Sequence, residues 1–435
     1  MKLKRVGLCA LLATGSAYAI SPFQLDVTVT GVGSYSQGFV SVEDAINGLD
    51  QKAIEQKLSR YDGTQPAHVN FNFRGLPILV AFPNPSSSTL VLNIPSIGVS
   101  ETFQGATRDE SANLLEDWFK KNGGDAVDRL MAKLAETTPN DPIAGNPNSL
   151  MAQSVANDFM TGFFAQVADA TTSLSATTIT PDATATLSKT DTISPTTATS
   201  SNNMIGIMAQ YGSFAMGGYD SKTYTLPISY TIRSDSNPRK KLTISIPLGM
   251  VDIEQAKSYK AGLGLAATFP ISDAWLLTPA LGYGVTASID LGSVGHMASG
   301  SLTSSYTWRV GSHKLSMGNM IGHYRTLAFS AGDYSFDPGI SNTVFRNGLM
   351  WSIPTGAIAT NTSLELFVID TQYTGTELYN MRYDEVGFAW GLDRASLHPI
   401  AGKIIRTDTK LKIGATYLVA DNDSKGFTVN FGWQF

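Results

Sequence analysis

The sequence predicts an all-β, membrane-crossing antiparallel barrel of about twelve strands, preceded by an α+β domain. Three observations carry this expectation. The second half alternates apolar and polar side chains with period two, in segments longer than the five or six residues typical of soluble strands. Only 15% of residues are charged, with 40 glycines in 435 residues, against about 25% charged in an average soluble domain. After residue 19 no run of 18 or more apolar residues occurs, which excludes a helical membrane span in the rest of the chain. The net charge of −5 lacks the basic surface of a nucleic-acid binder, so no nucleic-acid partner is expected.

Residues 1–19 read as a secretory signal peptide. Lys2, Lys4 and Arg5 form a basic start, Val6 to Ala13 a short apolar stretch, and Ala17-Tyr18-Ala19 a small-x-small cleavage site. The single cysteine, Cys9, falls inside this segment, so the mature chain is expected to hold no disulfide, no cysteine metal site and no cysteine nucleophile.

Residues 20–167 mix short extended runs with amphipathic helices and form the expected α+β domain. Gln24 to Val32, His68 to Phe82 and Ser88 to Ile94 read as extended. A helix over 41–58 is opened by Ser41, which can cap it. Arg108 to Phe119 and Asp125 to Leu134 read as two helices split by Asn122-Gly123-Gly124. A further helix over Ser149 to Ala168 carries Met151, Val155, Phe159, Phe163 and Phe164 on one side, a stripe assigned to the packing of this domain. No repeat of the 20- to 50-residue kind is present, which argues against a stacked β-helix. Residues 168–203 are dominated by Thr, Ser and Ala, a composition that cannot bury a core, and read as a flexible linker.

From residue 204 to 435 the alternation yields about twelve segments, near 206–216, 222–234, 239–250, 256–271, 274–290, 297–311, 313–329, 343–353, 362–373, 382–393, 408–420 and 424–435. In the last of them Phe427, Val429, Phe431, Trp433 and Phe435 share one face, and Thr428, Asn430, Gly432 and Gln434 the other. Aromatics gather near segment ends, among them Trp275, Tyr283, Tyr306, Trp308, Trp351, Trp390 and Trp433, as in the interfacial girdles of membrane barrels. An even count suits closure, and in a bilayer such a sheet must close.

The ending Lys410 to Tyr417, Asp421-Asn422-Asp423, then Gly426 to Phe435 resembles the final hairpin of outer-membrane β-barrels, in particular the translocator barrels of autotransporters. The resemblance covers 204–435 as a pattern and only the last hairpin as a motif. It implies Phe435, with Phe431 and Trp433, as an assembly signal read by the barrel-insertion machinery, and it implies outer-membrane lipid and the secretion machinery as partners. Asp421-Asn422-Asp423 is expected to close an extracellular hairpin.

By the alternation, Lys241, Lys260, Arg309, Arg346, Glu365, Glu385 and Lys412 point into the lumen, because Lys or Arg facing lipid at mid-membrane would cost about 2–4 kcal/mol. Five basic and two acidic residues make a mildly cationic interior. Many other inward positions are Gly, Ser, Thr or Ala, leaving room for water, a linker segment or a helix plug. Catalytic signals are sparse. His68, His296, His313, His323 and His398 are scattered, with no metal-binding spacing; no catalytic residue, metal or cofactor is assigned, and His323 with Asp333 is the one pair worth testing. Three functions remain open. The order of signal, small domain, linker and barrel favours an autotransporter-like protein that anchors and exports or displays its own N-terminal domain. The alternatives are a porin-like channel with a periplasmic domain, and a barrel-embedded hydrolase. The N-terminal domain is placed outside the cell or in the periplasm, with the barrel in the outer membrane.

Overall fold

The computed structural model describes residues 21–121, 124–167, 203–331, 334–356, 362–393 and 410–434. The expected signal peptide, most of the expected linker, Asp333, His398 and Phe435 lie outside them.

The N-terminal region runs β1 (Phe23–Val29), β2 (Gly33–Phe39), α1 (Val42–Asn47), α2 (Gln51–Lys57), β3 (Ala67–Phe73), β4 (Leu76–Phe82), β5 (Thr89–Ile94), a 3₁₀ turn over Pro95–Ile97, β6 (Val99–Gln104), α3 (Arg108–Lys121) and α4 (Gly124–Thr137). The six strands form one antiparallel sheet in the order β2-β1-β3-β4-β5-β6. One sheet face is buried. Phe23, Leu25, Val27, Val69 and Phe71 pack there with Ala45 of α1 and Ile54 of α2. Leu90, Leu92, Ile94 and Phe103 pack with Ala126, Trp118 and Leu130 of the two later helices.

Two expectations change here, and two further strands appear. The run His68 to Phe82 is a hairpin, because Arg74 and Gly75 take φ of 54° and 99° and reverse the chain. The helix expected over 41–58 is two, interrupted at the α1 C-cap Gly48, where a Cβ would come within 2.8 Å of Leu25 and 2.9 Å of Phe39. The strands β2 and β6 carry many polar residues on both faces, so they lack the apolar alternation by which a strand is recognised.

After a buried segment at 138–149, α5 (Leu150–Phe159) continues into a π-helical turn over Met160–Phe164. The barrel strands are β7 (Met204–Met216), β8 (Tyr219–Arg233), β9 (Lys241–Ile253), β10 (Ala256–Pro270), β11 (Trp275–Ser288), β12 (Ser293–Val310), β13 (His313–Thr326), β16 (Ser341–Pro354), β17 (Thr362–Gly375), β18 (Arg382–Asp393), β19 (Lys410–Ala420) and β20 (Lys425–Gln434). A short hairpin, β14 (Phe329–Ala331) with β15 (Tyr334–Phe336), interrupts the β13–β16 connection. Each strand pairs antiparallel with the next, and β20 pairs with β7 to close the barrel at twelve strands. Closure leaves no sheet edge. Outward positions carry large apolar residues, such as Leu263 at 56% exposure, Val368 at 52% and Phe431 at 45%. Inward neighbours such as Thr268, Thr278 and Thr371 are buried. Outward apolar residues thus alternate with inward, mostly small or polar ones along the strands, the pattern of a membrane-spanning barrel.

Candidate functional site: a helix in the barrel lumen

The lumen is occupied. Leu150, Met151, Val155, Phe159 and Phe163 form one buried cluster with Phe214, Met297, Met320, Tyr324, Val344, Met350 and Phe367 of the barrel wall. The stripe expected to pack inside the N-terminal domain therefore packs inside the barrel. A helix in a polar lumen must present its apolar face somewhere, and the inward Met, Phe and Tyr residues of β12, β13, β16 and β17 meet it.

Local chemistry starts the helix at the right place. Ser149 is the N-cap and accepts the Ala152 N–H at 3.3 Å. Just upstream, Asp141 accepts the N–H groups of Ile143 and Ala144 at 2.8 and 3.1 Å and pairs with Arg74 at 2.8 Å, with both side chains almost fully buried. This pair ties the β3–β4 turn of the N-terminal sheet to the segment that enters the barrel.

Polar contacts then register the helix against the wall along its length. Asn148 Nδ2 donates to Ser221 Oγ at 2.9 Å, Asn157 Nδ2 to Ser245 Oγ at 3.0 Å, and Lys241 Nζ to Gln166 Oε1 at 2.8 Å. The buried Asp158 carboxylate accepts from Tyr324 OH at 2.8 Å and Ser301 Oγ at 3.0 Å. Glycines let the two surfaces meet: a Cβ on Gly162 would come within 2.5 Å of Thr303, and one on Gly318 within 2.5 Å of Phe163.

The helix lies against β9–β13. Between it and β7, β8 and β16–β20 remains a cavity of about 370 Å³. Lys241, Lys260, Arg346, Glu365, Glu385 and Lys412 line it. Lys412 is bonded to both Glu365 oxygens at 2.7 and 2.8 Å, and Arg346 to Glu385 at 2.6 Å. Lys260 donates to the Asn148 carbonyl. Arg346 also stacks over the Phe159 ring at 5.2 Å. Arg309 is exposed near the end of β12 and is not among the cavity-lining residues. The expected balance changes further because the helix itself brings in Asp158, a carboxylate that strand alternation cannot reveal. The interior is closer to neutral than five bases against two acids.

The N-terminal domain meets the barrel at one rim. Val251, Ile253, Ala256 and Leu291, beside the β9–β10 and β11–β12 turns, join the core beneath β1 and β3. The Val42 N–H donates to Asp290 O at 2.8 Å. On α4, Asp128 accepts the Asp337 N–H at 2.7 Å; its partial burial raises its pKa above the usual carboxylate value, opposed by that hydrogen bond and reinforced by the Asp337 and Asp125 charges. This rim lies opposite the end that holds Met204 and Gln434.

Of the remaining candidates, Phe431 faces outward on β20, and Trp433 pairs with Leu411 through the backbone. His323 faces outward and contacts Thr343 Oγ1 at 3.3 Å and Ser341 Oγ at 3.2 Å. It does not reach the lumen, and Asp333 falls outside the described residues. Among the described residues no cluster of His, Cys, Asp or Glu could hold a metal ion.

No family model and no curated protein match the chain. Solved structures similar to its barrel half include the β domain of the Bordetella autotransporter BrkA, at 12% identity and TM-score 0.40, covering 54% of this chain and 99% of that one. The translocator domain of the autotransporter NalP from Neisseria meningitidis matches at 11% and 0.39, covering 54% and 88%. An outer-membrane channel from Pseudomonas putida F1 matches at 13% and 0.37, covering 53% and 94%.

Proposed function

We propose that this is an outer-membrane, autotransporter-like protein whose barrel anchors its own N-terminal domain on the cell surface, with α5 as the tether through the lumen. One observation carries the reading. The helix runs through the lumen from the rim that bears the domain toward the opposite end, where Gln166 meets Lys241 and where β7 begins. A signal-directed chain arrives in the periplasm. The barrel ends Met204 and Gln434 then face the periplasm, the Phe431, Trp433 and Phe435 strand is read there by the insertion machinery, and the domain faces outward. A folded six-stranded sheet is too wide for a lumen that one helix largely fills, so the domain passes unfolded and folds outside.

Protease added to intact cells tests this. Cleavage of the domain without lysis supports display; protection until lysis supports a periplasmic domain and overturns it. The 370 Å³ cavity favours a second reading, a narrow channel beside the helix. Planar-bilayer conductance of the full chain distinguishes the two: a sealed barrel supports the tether, and steady ion flow abolished by narrowing the cavity with Thr225→Trp supports the channel.

A further inference from the structure

The outward wall carries one sector that does not suit lipid. Asn319 on β13 and Asn347 on β16 are cross-strand neighbours, and Asn319 Nδ2 donates to Asn347 Oδ1 at 2.7 Å. Both lie on the outward face. Along their strands they are flanked by outward apolar residues, Met317 and Ile321 on one side chain row, Phe345 and Leu349 on the other, each 37–48% exposed. Among the described residues, these are the only outward amides held between apolar neighbours in this way. The pair therefore sits inside the apolar band and not at its polar border.

Hydrocarbon offers no partner to a polar group, and polar side chains in this setting commonly bond across an interface between membrane segments. The amide pair satisfies one donor and one acceptor internally. Whichever way round the amides sit, that bond uses one N–H and one oxygen of the pair, and the other oxygen and three N–H groups are not part of it. Such a pair is self-complementary. A two-fold axis along the membrane normal, passing beside it, sets the free oxygen of each copy against the free N–H of the other, which is the property an isologous contact needs. Phe345, Leu349, Met317 and Ile321 would surround the four amides with apolar contact.

We propose that the barrel self-associates in the membrane through the β13–β16 wall, a second copy of this chain docking on the Asn319–Asn347 pair. The same row of cross-strand neighbours continues to Asp370 and Asp384, both held by Arg382 at 2.9 and 3.4 Å, so the polar sector reaches the rim, where it can be hydrated.

The sequence's one cysteine, Cys9, lies in the expected signal peptide, so a single introduced thiol reports without background. Phe345→Cys leaves both asparagines intact. In membranes, mild oxidation of F345C is expected to give a covalent dimer, while L263C on β10 does not. Adding N319L and N347L to F345C should weaken dimer formation about ten-fold, the order expected for losing two interfacial hydrogen bonds. Equal cross-linking of F345C and L263C overturns the proposal. So does unchanged F345C cross-linking after both leucine substitutions in a barrel that still resists unfolding in detergent. If instead the substitutions change only the lipid that co-purifies, measured by mass spectrometry, the sector binds a headgroup and the self-association is wrong.

Discussion

Phe163 of the lumen helix packs against the bare backbone of Gly318 on β13; a Cβ at position 318 would lie 2.5 Å from its ring. Phe159 and Phe164 stand around it, with ring centroids 5.2 and 5.4 Å away. The wall has a glycine where the helix has its knob, and the fit is specific to this registry.

Filling that position should expel the helix or strain it. Gly318→Val is expected to destabilise the packed state by about 1–3 kcal/mol, as overpacking does elsewhere. The check is protease sensitivity of 150–167 in purified barrel, which should rise while the barrel itself stays resistant.

Asp158 is the buried charge on the helix. Tyr324→Phe removes one of its two donors and should cost about 1–3 kcal/mol, the range for leaving a buried acceptor short of a partner. The temperature at which the barrel loses its compact electrophoretic mobility should fall. Asp158→Leu paired with Tyr324→Phe should recover part of the loss, because the buried carboxylate and the phenol are then both gone and only the Ser301 hydroxyl loses its acceptor.

The Arg74–Asp141 pair joins the domain to the lumen segment. Asp141→Ala leaves a buried guanidinium and two backbone N–H groups without their acceptor, and should cost about 3–5 kcal/mol. The loss should appear as proteolysis between the domain and α5. Asp141→Asn, which keeps an acceptor oxygen, should be milder.

The contact of α4 with the barrel rim should respond to pH. The pKa of Asp128 is raised by burial, so its charged form is disfavoured in the folded contact. The penalty is present at neutral pH and is relieved as pH falls through the folded pKa, above the ordinary value of 3.8. Hydrogen exchange across α4 should slow more on acidification than intrinsic chemistry requires, as the net penalty on the contact is relieved. Asp128→Asn should abolish that dependence.

The barrel was legible because two solvents impose a period of two, and the expected twelve segments coincide with the twelve strands to within a few residues. The helix over 149–168 was legible as a helix, with its Phe and Met stripe, but not as a lumen helix. Its apolar face meets strands more than a hundred residues away, and amphipathicity does not name the surface it will cover. The glycines at inward positions pointed to room for a plug without saying which segment fills it. Arg309 shows the limit of parity: alternation along β12 does not reveal that it sits exposed near the strand's end, away from the cavity. The Asn319–Asn347 pair breaks the alternation on the oily side, and two single asparagines in separate, otherwise apolar rows carry no sequence signal that they meet.

A cysteine pair across the helix and the wall tests the central claim most directly. Asn157 and Ser245, joined at 3.0 Å, are replaced together in N157C/S245C, and the chain is oxidised in membranes and then cut by protease between α5 and β7. Helix and barrel should stay joined until reductant is added, at a yield far above that of N157C/S352C. If the fragments separate without reductant while the barrel remains folded, the helix does not occupy the lumen and the tether does not exist.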